Sequence, residues 1–588
     1  MISTRQLFTA AILVASGTAF ACATVPIALN QFGNPPKLAP TPTDAAISVA
    51  DLKTRLYIFA DDSMQGRQFG RAGNMKGTDY IARELARMGV EPAGDNGTYF
   101  QAMPLVQRRF ARTSTLSVNG RTLRWVNDWI ATPGASAPRP VDGKVIFGGV
   151  AGDTLASLTA AQANGKVVVM FPAVAGAGGR GAAGAGGRAG GAGGRGNAAA
   201  NPLAGAAAVV TVNLDAVSIG ARAFINDDPQ GRISAPPGAL APINPNAPAA
   251  AAPTGPQPAQ LRVTREAAAA LFGAPLEGMR VGTEGGSVIA KLDFQETPVP
   301  QYGRNVVGII RGSDPVRRNT YVAISAHPDH VGYDRSPVDH DSLKLYNAAR
   351  QAIQMQGSEL RTATPAELAS IKLNMDSVRK IRPPRPDSIR NGADDDGSGS
   401  MALLEIAEAV SAMPVKPKRS LLFVWANGEE AGLTGSAWFT MQPTVPRDSI
   451  IANINVDMIG RGRVADIPGG GDDYLAVVGS QRLSADLGQA VIANNLRQPA
   501  PFRLDYRFDS TTTWPGYNNI YGRSDHANFA RFNIPIAFFF TGLHADYHQL
   551  TDEPQYIDYP HYTRIAQYIN DLVVDVANRD KRPALYRP

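Results

Sequence analysis

The stretch NGADDDGSGS, residues 391–400, sets Asp394, Asp395 and Asp396 side by side at the mouth of a glycine turn. Adjacent carboxylates repel one another, and Arg390 is the only basic residue near them in the chain. A bound cation is the chemistry that would hold them together. Other groups able to complete its shell recur downstream and upstream: His327 and Asp329 in AHPDHVG, Glu429 and Glu430 in NGEEAGLTGS, Asp457 in NVDMIGR, and His544 and His548 in HADYHQLTDE. All 7 histidines fall between residues 327 and 561, and the single cysteine, Cys22, lies at the far N-terminus. Zinc accepts imidazole and carboxylate where thiolate is absent. Two such ions about 3.5–4 Å apart need one bridging carboxylate, with a terminal histidine and acid for each. The set His327, Asp395, Glu430, Asp457 and His548 supplies that mixture. Asp329 can bond the far nitrogen of His327 and fix its tautomer. Glu429, next to a ligand but pointing elsewhere, is free to act as general base on a water.

Such groups must be carried to one place. From Asn305 onward the pattern runs strand, loop, helix: NVVGIIRG, TYVAISAH, RSLLFVWAN, IANINVDMIG and IPIAFFF are apolar runs of the kind that form strands buried on both faces. SMALLEIAEAVSAM and RIAQYINDLVVDVAN read as helices. The alternation predicts an α/β fold, a mixed and largely parallel sheet with helices on both faces. Ligands on such sheets bind beyond the carboxyl ends of the strands, which is where each candidate ligand falls.

Length and composition bound the rest. With 588 residues, 44% apolar and 18% charged, the chain suits several globular domains, and its net charge of +6 gives no reason to expect a nucleic-acid partner. Residues 1–22 read as a secretory signal, with Arg5, a short apolar run and an Ala19-Phe20-Ala21 cleavage site. Export to the periplasm or outside the cell follows, with Cys22 a candidate lipid anchor and no transmembrane segment expected. Residues 23–45 form a Pro-rich linker, 46–100 hold N-terminal helices, 101–300 a mainly β insertion, and 301–588 the α/β domain. Two low-complexity stretches, Gly-rich near residue 180 and Pro/Ala-rich near residue 245, read as surface loops.

AHPDHVG, NGADDDGSG, NGEEAGLTGS, NVDMIGR and DYHQLTDE resemble, in order, the motifs of the clan MH di-zinc exopeptidases, which include secreted bacterial leucyl-type aminopeptidases. The segment DDSMQGRQFGRAGNMKGTDYIARELARMGVEPAG is similar to that group's N-terminal helices, and residues 101–300 look like an inserted protease-associated domain. The resemblance implies two zinc ions per chain. Asp395 would bridge them, His327 and Asp457 would hold one, Glu430 and His548 the other, and Glu429 would be the base. It also makes the Asp395–Asp396 bond a candidate cis peptide, and Tyr521 in YGRSDHANF a candidate stabiliser of the tetrahedral intermediate. The chain departs from the group in a helical segment of about residues 334–386, expected to overhang the cleft and shape substrate access.

The implied activity is removal of N-terminal residues from peptides with a free N-terminus. A carboxypeptidase, a glutaminyl cyclase on the same fold, or a non-catalytic binding relative are the alternatives. The cyclase generally keeps one zinc and lacks the first histidine, so His327 with Asp329 speaks against it. Ser524, Asp525 and His526 are chain neighbours and no serine triad, and no G-x-S-x-G elbow is present.

Overall fold

The computed structural model describes residues 37–586, except 135–136, 152–156, 173–200, 217–231, 235–255, 300–302, 357–360, 362, 381 and 510–519. The leader, Cys22 and most of both low-complexity stretches lie outside the described residues. No helix among those described is long and apolar enough to cross a membrane.

A nine-stranded mixed sheet carries the α/β domain. Its centre is four parallel strands in the order Ser420–Trp425, Tyr321–Ala326, Ile450–Val456 and Ile536–Phe540. Antiparallel neighbours flank it, Arg304–Ile310 on one side and Tyr474–Val478 on the other. Every residue of the four central strands is buried, as their unbroken apolar runs require. Side chains alternate between two cores. One face packs against helices Val49–Phe59, Ala72–Arg87, Gly399–Ala412, Ala485–Leu496 and Tyr559–Asn578. The other packs against Thr434–Met441 and His526–Ala530.

The chain leaves this sheet after Phe100–Ala102, which pairs with Arg304–Ile310, and rejoins it there. Between them lie an eight-stranded mixed sheet with its own apolar core and a three-stranded antiparallel sheet. The segment after His330 forms a two-stranded ribbon, Tyr333–Asp339 with Pro386–Ile389, closing over helices His340–Gln354, Pro365–Ser370 and Met375–Arg379.

Arg67, between the N-terminal helices, ties them to the loops at the sheet's rim. Arg67 is fully buried and spends its guanidinium on backbone carbonyls. Nε donates to Pro328 at 3.1 Å, Nη1 to Phe59 at 3.0 Å and Asn391 at 2.6 Å, and Nη2 to Gly392 at 2.7 Å. Burial lowers its pKa to about 10, while Asp552, Asp395, Asp329 and Asp396 favour the charge, so it stays charged at neutral pH. Replacing it by methionine strands buried carbonyls at roughly 1–3 kcal/mol each. Arg67→Met is expected to cost at least about 3 kcal/mol in urea unfolding; a loss below about 1 kcal/mol would contradict the clamp.

Candidate metal centre

Each central strand ends in an ionisable residue at the same rim. Tyr321–Ala326 delivers His327, Ile450–Val456 delivers Asp457, the turn after Ser420–Trp425 delivers Glu429 and Glu430, and the loop after Ile536–Phe540 delivers His544 and His548. Asp395 enters from the turn that opens helix Gly399–Ala412. His327 Nε2 lies 3.3 Å from Asp395 Oδ1 and 3.5 Å from Asp457 Oδ1. On the other side of Asp395, His548 Nε2 lies 3.0 Å from Asp395 Oδ2 and 2.8 Å from Glu430 Oε1. Asp395 is thus shared between two carboxylate–imidazole sets.

The two outer aspartates are satisfied by other means. Asp396 accepts the amides of His327 (3.1 Å), Gly399 (2.8 Å) and Met458 (3.1 Å). Asp394 accepts the Gly460 amide at 2.6 Å and the Ser398 hydroxyl at 2.8 Å, with His544 Nε2 at 3.1 Å. Asp552 anchors the turn by accepting the amides of Asp394 and Asp395. Gly392, at φ 56°, gives the turn room: a Cβ there would stand 2.5 Å from the His330 ring. The Asp395–Asp396 peptide bond is cis.

Asp329 divides its work differently from the sequence expectation. Its carbonyl, not its carboxylate, meets His327 Nδ1, at 3.1 Å, while Oδ1 stands 3.7 Å away. The carboxylate instead accepts the amides of Gly428 (2.7 Å), Glu429 (3.1 Å) and Glu430 (3.2 Å). Three converging N–H groups hold a carboxylate better than one ring, so it fixes the turn that carries both glutamates.

Two features were not foreseen. His330, the second histidine of AHPDHVG, is buried with Nδ1 3.3 Å from Glu430 Oε1 and 3.6 Å from Asp395 Oδ2. Its proximity to His327 in the motif was the available signal. Ser524, in the SDH run, donates to Asp457 Oδ2 at 2.8 Å and accepts from Asn455 Nδ2 at 3.0 Å, leaving Asp457 Oδ1 facing His327. Tyr521 lies apart from the described contacts of the cage. Its ring packs under Arg482, near Gly479 and His526. Tyr547 is nearer, stacked on His548 at 3.9 Å.

The donor set fits a metal. His327 Nε2, Asp395 Oδ2, Glu430 Oε1, Asp457 Oδ1, His548 Nε2 and both His330 nitrogens are buried without a hydrogen-bond partner. Ligand atoms of His327, Asp395 and Asp457 lie within 4.8 Å of one another, as do those of His330, Asp395 and Glu430. Burial opposes charge throughout, yet the acids and rings outweigh it mutually. His327 is pushed well above the usual histidine range by Asp457, Asp329 and Asp395, and His548 to about 10 by Glu430 and Asp395. Glu430 is held down to about 2 by His548 and His330, and Asp395 well below the carboxylate range by His327 and His548.

Sheet and rim together define an α/β protein with a candidate metal-binding edge. Residues 305–573 match the model of Peptidase family M28. That match implies zinc at the centre. The chain is 32% identical over 177 residues to leupeptin-inactivating enzyme 1 of Streptomyces exfoliatus, covering 29% of this chain and 33% of that protein. It is 34% identical over 244 residues to an aminopeptidase of Pseudomonas aeruginosa (strain UCBPP-PA14), covering 39% of this chain and 38% of that one. The matches thus span 33% and 38% of the two relatives' lengths. A solved aminopeptidase from Aneurinibacillus sp. strain AM-1 aligns over 92% of this chain and 97% of its own at 16% identity and a TM-score of 0.48.

Protons and metal compete for these rings. In the metal-free protein the surrounding carboxylates favour the protonated form of both His327 and His548. Each must lose its proton to ligate, so zinc uptake releases protons and affinity rises with pH. Calorimetric titration in buffers of different ionisation enthalpy, between about pH 6 and about pH 8, reads the release. Uptake without it, at constant affinity, would contradict the assignment.

Proposed function

We propose that the chain is an exported di-zinc aminopeptidase that removes N-terminal residues from peptides. The observation carrying this reading is the sharing of Asp395 between two carboxylate–imidazole sets at one rim. His327 and Asp457 would hold one zinc, and Glu430 and His548 the other, with His330 beside the second set. The name of the Pseudomonas aeruginosa relative supports the aminopeptidase reading, and the leader-like residues 1–22 support export. Bound zinc supplies a Lewis acid for the scissile carbonyl and lowers the pKa of water toward neutrality.

Glu429 takes the proton of the attacking water at its carboxylate and returns it to the departing amine. Asp329 holds it in place by accepting its amide along with those of Gly428 and Glu430. Tyr547 is the better placed phenol for the oxyanion. Burial, then Asp395 and Glu430, push its hydroxyl well above the usual tyrosine range, so it stays a donor. Tyr521, the phenol implied by resemblance, serves this role only if the 520–524 segment turns toward the cage. Among cage residues His548 is the most open, its side chain 31% exposed, which marks the side from which a peptide enters.

Glu429→Gln is expected to keep the parent zinc content while turnover falls by about 10²–10⁴-fold. Undiminished turnover overturns the assigned base. Peptides acetylated at the N-terminus should resist the parent enzyme, whereas peptides amidated at the C-terminus should be cleaved. The opposite pattern makes it a carboxypeptidase.

A further inference from the structure

Helix His340–Gln354 is docked on the loop that carries His548. It presents one polar face to that loop. Lys344 Nζ meets the Asp546 carboxylate. Asn347 Nδ2 donates to Thr551 Oγ1 at 3.1 Å, and Arg350 Nη2 donates to the Ala545 carbonyl at 3.0 Å. These contacts bracket His548, two before it in the chain and one after.

His548 needs such support. Its φ of 57° lies in the left-handed region, where a side chain with a Cβ persists only if the surroundings hold it. That backbone aims Nε2 at Asp395 and Glu430. Asp546 is the hub of the loop. Thr551 donates to its Oδ1 at 2.7 Å, and Arg461, just past strand Ile450–Val456, donates to its Oδ2 from Nη1 and Nη2, each at 3.0 Å. Arg461 also pairs with Asp466, at 2.8 Å, so Lys344 supplies the second positive charge for these two buried carboxylates. His327 and Asp457, by contrast, sit directly on strand ends, where the Asp396 carboxylate and the Ser524 hydroxyl hold them.

We infer that the inserted helix is a brace for one half of the metal centre: Lys344, Asn347 and Arg350 are positioning residues that keep the 545–551 loop shaped so that His548 faces Asp395 and Glu430. This rests on the two-zinc reading above. The insert thus acts on retention of the zinc at Glu430 and His548, and leaves the zinc at His327 and Asp457 alone.

The test uses full-length protein loaded with zinc, as parent, Lys344→Met, the double variant Asn347→Ala/Arg350→Ala, and Lys344→Arg. Zinc per chain is measured after equilibration with graded chelator, and circular dichroism melts monitor the fold. Both Lys344→Met and the double variant are expected to release one zinc at roughly tenfold lower chelator than the parent, with the other zinc unchanged. Lys344→Arg restores the parent curve. The brace is overturned if the variants retain both metals like the parent and change only KM, since the insert is then a wall for substrate. It is equally overturned if both metals leave together with a lowered melt, which marks general destabilisation. A parent chain that binds no zinc overturns the metal reading itself, and the brace with it.

Discussion

A carboxylate that stays ionised inside a protein needs donors or a counter-charge, and this fold places three of them in consecutive positions. The outer two are satisfied by the chain itself. Asp396 takes the amides of His327, Gly399 and Met458, and Asp394 takes the Gly460 amide with Ser398 and His544. Those bonds also join the ends of two central strands to the turn, so satisfying the charge and assembling the rim are one event. Asp395 alone is left facing three imidazoles and two further acids. Its demand is one that a bound cation would meet, and the arrangement of the remaining rim suits that role.

The supports around the rim come from well-separated parts of the sequence. Arg67 binds the carbonyls of Pro328, Asn391 and Gly392, tying the N-terminal helices to the loops of His327 and Asp395. Asp329 gathers the amides of the turn bearing Glu429 and Glu430. Ser524 and Asn455 orient Asp457 so that one oxygen faces His327. The inserted helix takes the corresponding position at the His548 loop. Each ligand is therefore held by a partner that does not itself face the cage, which is what keeps a site of repelling groups in one geometry.

Much of this was legible in the sequence because it is local. An apolar run ending in His327 or Asp457 states both the strand and the position of its last side chain, and the sheet follows from several such runs. What could not be read depends on contacts between distant segments. Nothing near Asp329 in the chain shows that its carboxylate will meet the amides of residues 428–430, leaving its carbonyl for His327. For His330 the sequence offers only its nearness to His327, and the packing of the Gly392 turn against its ring is a contact between distant segments. The placement of Tyr521 follows from packing against Arg482 and Gly479, which spacing to Ser524 does not encode. The docking of Lys344 on Asp546 joins residues 202 positions apart and has no local signal.

The most direct test of the central claim is anomalous diffraction at the zinc edge from crystals of the purified protein. Two peaks should flank the Asp395 carboxylate, one within bonding distance of His327 and Asp457 and the other of Glu430 and His548. Peaks elsewhere, or a fully active crystal form with no anomalous density at this rim, would contradict the account.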